Sequence, residues 1–130
     1  MSIDVVAAII FHDDKILAAQ RPFSLNKEIS LKYEFPGGKV NKSETKVNAL
    51  KRELQEELNI QVEKFDYYFS SKHDYKKRII NLYFYKCKIL KLPIELRVHR
   101  CLKLLSLSEL RTVDWLAGDY AVIGKLENDL

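Results

Sequence analysis

The sequence predicts a mixed α/β layered domain, and three observations carry that expectation. An almost continuous apolar run opens the chain. Stretches rich in aromatic and β-branched residues fill its middle, and two amphipathic helical patterns separate and close them. With 130 residues, 47% hydrophobic and 31% charged, the chain suits a single domain over 1–130 with one real core. It shows no repeat, linker or low-complexity segment.

Residues 3–11 are apolar nearly throughout, so they read as a strand buried on both faces. His12, Asp13 and Asp14 make a turn, and 15–21 return as the second strand of a hairpin. Residues 22–33 are mostly polar, with Pro22, Ser24 and Asn26 breaking any period, and read as a loop. An extended piece, Tyr33-Glu34-Phe35-Pro36, then enters the Gly37-Gly38 turn. Ser43 is expected to cap a helix with Glu44 in its first turn, running to about Leu58 on a buried stripe of Val47, Leu50, Leu54 and Leu58. Two strands follow at 62–71 and 78–89, joined by a polar loop. Residues 101–105 form a short strand, 106–112 a helical turn and 120–130 the closing helix.

Composition excludes several classes. No apolar run reaches the ~20 residues needed to span a bilayer, and MSIDVVAAII lacks a basic leader, so a cytoplasmic protein is expected. Cys87 and Cys101 are too few for a disulfide framework and lack metal spacing, so both are expected reduced. The net charge of +4 suits an anionic partner, but dispersed lysines make nucleic acid an unlikely one and a nucleotide sufficient.

The chemistry concentrates in the stretch GKVNKSETKVNALKRELQEELNI, from Gly38 to Ile60. At about 100° per residue, Glu53, Glu56 and Glu57 share roughly a 100° arc beside the apolar stripe. Ala49 lies in the same arc one turn earlier and is expected to keep it sterically open. Like charges so spaced destabilise a bare helix slightly, yet together they suit Mg²⁺ or Mn²⁺, which take oxygen ligands. Gly37 and Gly38 let the backbone approach a ligand, and Arg52 is suited to orienting carboxylates or meeting phosphate charge.

With these residues in place, the stretch resembles the Nudix box, G-x5-E-x7-R-E-U-x-E-E-x-G-U with U aliphatic. Gly38, Glu44, Arg52, Glu53, Leu54, Glu56, Glu57 and Ile60 match, and Asn59 stands where the family has glycine. That position is expected to be left-handed, which asparagine tolerates next best. Residues 5–10, Ala19-Gln20-Arg21-Pro22, residues 34–39 and the closing helix are similar to MutT-type members, and the opening strands most resemble the branch that cleaves CTP and modified deoxynucleoside triphosphates. The resemblance implies a Nudix-type α/β/α sandwich with a central mixed β-sheet. It also implies Mg-dependent hydrolysis of a nucleoside triphosphate to monophosphate and pyrophosphate.

On that likeness Gly37, Glu53, Glu56 and Glu57 would hold Mg²⁺, with Mn²⁺ as an alternative. Glu53 would act as ligand or general base, Arg52 would hold it, and Glu44 would support from outside. Arg21 and Lys39 are candidates to meet phosphates, and Lys39 alternatively to pair with a box carboxylate. Substrate-binding positions would comprise Gly37 and Gly38 together with Phe35, Tyr75, Arg78 and Asp119. Asp119 stands where MutT-type proteins have asparagine. It either caps the last helix or, as an ionised acceptor, reads a base edge bearing N–H groups. Relatives often carry a late acidic residue; between Val98 and Leu104 there is none, and His99 is either its substitute or a surface bystander.

Two other readings stand beside this one. ADP-ribose or dinucleoside polyphosphate cleavage is disfavoured because no proline lies between Pro36 and Pro93. A non-catalytic nucleotide-sensing or RNA-binding domain is disfavoured by retention of the box glutamates. Monomer and homodimer are both compatible with the sequence.

Overall fold

The structure is a computed structural model describing residues 2–91 and 93–130. Its elements run β1 (Ser2–His12), β2 (Lys15–Gln20), β3 (Tyr33–Glu34), β4 (Gly37–Lys39), α1 (Lys46–Leu58), β5 (Gln61–Tyr75), β6 (Arg78–Lys91), β7 (Cys101–Leu105) and α2 (Tyr120–Asp129), with 3-10 turns at Leu107–Thr112 and Ala117–Asp119. One seven-stranded sheet has the order β3-β2-β1-β6-β5, with β4 on β1 and β7 on β2. It is mixed: β1 runs parallel to β6 but antiparallel to β2 and β4.

Alternation along β1 explains the two layers. Val6, Ala8 and Ile10 face Leu50, Leu54 and Leu58 of α1, whereas Ala7 and Ile9 belong to the cluster containing Val122, Ile123 and Leu126 of α2. A strand with both faces covered must be apolar, as residues 5–11 are. The result is the expected α/β/α sandwich.

Several local expectations are corrected. The N-cap of α1 is Thr45, whose hydroxyl accepts from the Asn48 N–H, while Ser43 adopts φ 70° in the preceding turn. Glu44 therefore precedes the helix, leaving its carboxylate free to reach Arg52. Ala49 is fully buried in the core layer under α1, and Val47 is only half-buried. The polar loop between the long strands shrinks to Lys76 and Lys77, both at positive φ, because β5 and β6 stay paired up to Tyr75 and Arg78. Asn59 is left-handed as expected (φ 52°, ψ 41°), and Gln55 donates to its side chain at 2.6 Å.

Candidate active site

Arg52 organises the acidic helix. Its Nε and Nη2 donate to the two oxygens of Glu44 at 2.7 and 3.0 Å, and Nη2 also to the Lys39 carbonyl at 3.0 Å. Nη1 donates to Glu53 at 2.9 Å and Glu56 at 3.4 Å. All five guanidinium N–H bonds are thus engaged with the protein, so Arg52 orients carboxylates and has none left for a phosphate. The Arg52 hydrogen bond, followed by the Asn41 N–H, holds Glu44 below its ordinary range.

Both glycines pack closely, and only at Gly37 is the neighbour rigid backbone. A Cβ on Gly38 would overlap the Glu53 carboxylate, and one on Gly37 would run into the Val6 carbonyl. The turn therefore lies directly against the acidic helix and against β1. Lys39, next along, is exposed.

Beyond Glu53 the row turns inward. Glu57 is only 9% exposed, and its Oε1 has no hydrogen-bond partner, whereas the Glu56 side chain is 58% exposed. Burial pushes Glu57 up to about 9, helped by a hydrogen bond with Glu53 and by the charge of Glu34. An orphaned, buried oxygen in a carboxylate row fits a hard divalent cation, which can take the place of the proton.

A pH dependence follows for the metal-free protein. Because folding raises the Glu57 pKa from 4.5 to about 9, the folded state binds more protons than the unfolded state across that window. Stability should therefore fall as pH rises from about 4.5 towards about 9. Melting temperatures in chelator will show this slope, and Glu57→Gln should flatten it. Added Mg²⁺ should raise Tm most at the alkaline end of the window, where no proton competes.

An apolar cleft of about 720 Å³ is lined by His73, Tyr75, Leu82, Trp115 and Gly118, with Asp119 among its walls. Asp119 is 5% exposed and makes no capping bond to α2; instead its Oδ2 accepts from the Phe35 N–H at 3.4 Å. The capping role is thereby excluded. Burial, then the charge of Glu34, pushes Asp119 well above the ordinary range, towards a neutral acid that has a proton to donate. The expectation of an ionised, purely accepting Asp119 is corrected accordingly.

The other base-pocket candidates divide. Tyr75 lines the cleft, with its ring stacked near His73 and its hydroxyl accepting from Asn26 at 3.0 Å. The Phe35 ring is instead a core group, stacked on Trp115 at 4.6 Å, and only its N–H reaches Asp119. Arg78 is exposed opposite Tyr75 on β6 and does not line the cleft.

Local sequence does not single out Glu34, and it leaves His99 as either a substitute for the late acidic residue or a surface bystander; burial removes the second alternative. The structure gathers both residues at the inner end of the acidic row, where the Glu34 charge acts on Glu57 and on Asp119. His99 is 8% exposed, with Nε2 at 2.8 Å from Glu34 and 3.7 Å from Glu57. Arg21 donates to the other Glu34 oxygen at 3.1 Å, so it meets a carboxylate here. The available signal was Glu34 itself, a charged residue in an apolar extended segment just before the glycine turn.

Sandwich, glycine turn and clamped acidic helix together have the form of a cation-dependent hydrolase site. The chain belongs to the NUDIX family, whose domain it matches over residues 1–119. It is similar to the CTP pyrophosphohydrolase of Escherichia coli K12, at 47% identity over 81 residues, covering 62% of this chain and 58% of that protein. The match thus spans less than two thirds of that relative. A putative 8-oxo-dGTP diphosphatase 2 of Mycobacterium tuberculosis is 34% identical over 127 residues, covering 97% of this chain and 89% of that protein. Among solved structures, the E. coli ORF135 protein superposes with TM-score 0.84 at 32% identity, covering 98% of this chain and 89% of that one. The MutT Nudix hydrolase of methicillin-resistant Staphylococcus aureus 252 gives 0.77 at 38% identity, covering 100% and 98%. Nudix hydrolases use a divalent metal, and among the described residues Glu34, Glu57 and His99 form a group able to hold one. No helix among those residues is long and apolar enough to cross a membrane.

Proposed function

We propose that this chain is a Mg-dependent nucleoside triphosphate pyrophosphohydrolase, converting NTP or dNTP and water to the monophosphate and pyrophosphate. The carrying observation is a pair of unlike ends within reach of one Glu34 charge: a clamped carboxylate row with an orphaned Glu57 oxygen, and an apolar cleft with buried Asp119 in its wall. The first suits a metal-bound polyphosphate and the second a base. The relatives named for CTP and for 8-oxo-dGTP support two substrate groups, CTP/dCTP and oxidised or modified dNTPs. Clearing the latter from a cytoplasmic nucleotide pool would protect DNA.

Glu53, Glu56, Glu57 and the Gly37 carbonyl would hold Mg²⁺. The ion when bound neutralises phosphate oxygens and lowers the pKa of attacking water. Arg52 holds Glu53 in line, and Glu44 in turn fixes Arg52. Glu53, facing Gly38 and half-buried, is placed to orient water or accept its proton. Exposed Lys39 and partly buried Arg21 supply positive charge beside the row for the phosphates. Asp119 reads the base edge, with Tyr75 on the cleft wall.

The test is product analysis. Incubated with Mg²⁺ and a panel of normal and modified triphosphates, the enzyme should release monophosphate and pyrophosphate in equal amounts. Diphosphate and free phosphate as primary products would reject the reading.

A further inference from the structure

We propose that Glu34 is a further ligand of the divalent cation held at Glu57, and that His99 is the positioning residue that presents it. The inference rests on the metal site proposed above and extends it to groups outside the motif helix. Glu34, Glu57 and His99 each turn a ligand atom into one small volume, with these atoms within 4.8 Å of one another. Two oxygens trans across an octahedral ion with ~2.1 Å bonds lie about 4.2 Å apart, so the two carboxylates need little movement to share one.

A second observation is independent of that spacing. Among the described residues, the buried side-chain atoms lacking any partner are Glu57 Oε1, Arg21 Nε and His99 Nδ1. All three belong to residues grouped around Glu34: Arg21 and His99 bond it directly, and Glu57 feels its charge. Their needs differ in sign. The Glu57 oxygen calls for a cation and the Arg21 N–H for an acceptor, a combination that a cation carrying a phosphate meets at once.

Geometry also separates the roles of ligand and holder. A carboxylate accepts, so the 2.8 Å contact to Glu34 puts the ring proton of His99 on Nε2, the nitrogen facing the cluster. That nitrogen has no lone pair for a metal, and the free one, on Nδ1, points elsewhere. Glu34 keeps a lone pair on each oxygen after bonding Arg21 and His99. An outer donor steadying a ligating carboxylate is the usual arrangement around protein-bound metals. The pair then supplies, from β3 and the segment before β7, the acidic ligand missing between Val98 and Leu104.

The test is Mn²⁺ binding to the nucleotide-free protein, read from the EPR signal of free ion, with circular dichroism confirming the fold. Glu34→Gln should weaken Mn²⁺ binding at least ~10-fold, as should His99→Leu, since loss of an outer-shell partner typically costs 10–100-fold. His99→Gln places an N–H where Nε2 stood and should restore most of the affinity. If Glu34→Gln does not fold, Glu34→Asp, which withdraws the carboxylate by one methylene, should show the same loss. Wild-type affinity in the Glu34 variants alongside a loss in Glu57→Gln would overturn this inference alone. Wild-type affinity in Glu57→Gln would overturn the underlying metal site as well. A hyperfine coupling from ¹⁵N-labelled histidine to bound Mn²⁺ would make His99 a ligand and refute its assigned role.

Discussion

Replacing Glu57 or Glu53 by glutamine is expected to lower kcat at least ~10²-fold, about 2.7 kcal/mol of transition-state stabilisation. Glutamine keeps the shape and one acceptor oxygen but cannot carry the charge that a divalent cation needs. At Glu57 the fold already disfavours ionisation in the absence of metal, raising its pKa to about 9, so the neutral glutamine should not destabilise the metal-free protein. Lost turnover with an undiminished melting temperature is therefore the signature of a metal site. At Glu53 the Arg52 bond survives on the amide oxygen, so the clamp should persist while the charge goes. Near-wild-type turnover in either variant would mean that the cation sits elsewhere.

Asp119→Asn should change which triphosphate is preferred while leaving thermal stability nearly unchanged. The amide matches a neutral carboxylic acid in size and retains an oxygen for the Phe35 N–H. No capping bond is at stake, because Asp119 makes none. What changes is the donor. A neutral acid can place its proton on either oxygen, whereas the amide fixes its donors on nitrogen. Mispairing in a dry site costs ~1–3 kcal/mol, so kcat/KM ratios among dCTP, dGTP and 8-oxo-dGTP should shift roughly tenfold to a hundredfold. An unchanged ranking in a normally folded variant would place base reading elsewhere in the cleft.

The sequence alone determined the features that depend on local spacing. Alternation and apolar runs set the strands, a 3–4 period set α1, and the offsets among Gly38, Glu44, Arg52, Glu53 and Glu57 placed a carboxylate row beside a glycine turn. These are legible because helix and strand geometry are fixed over a few residues. Even there the cap moved from Ser43 to Thr45, since neighbouring hydroxyl residues make comparable caps.

Tertiary structure decided what depends on contacts across the chain. His99 and Glu34 lie 65 positions apart, and no local pattern could bring them to 2.8 Å. Local sequence leaves Asp119 between helix cap and base reader, because burial is not a local property. Only the packing of Phe35, Trp115 and the cleft around it removes it from water and displaces its proton equilibrium. Phe35 was drawn into the core by the same packing, leaving its N–H as the only part that touches Asp119. Sequence spacing fixed the charge on the helix. Desolvation, set by the assembled sandwich, decided that Glu57 and Asp119 are held towards their neutral forms.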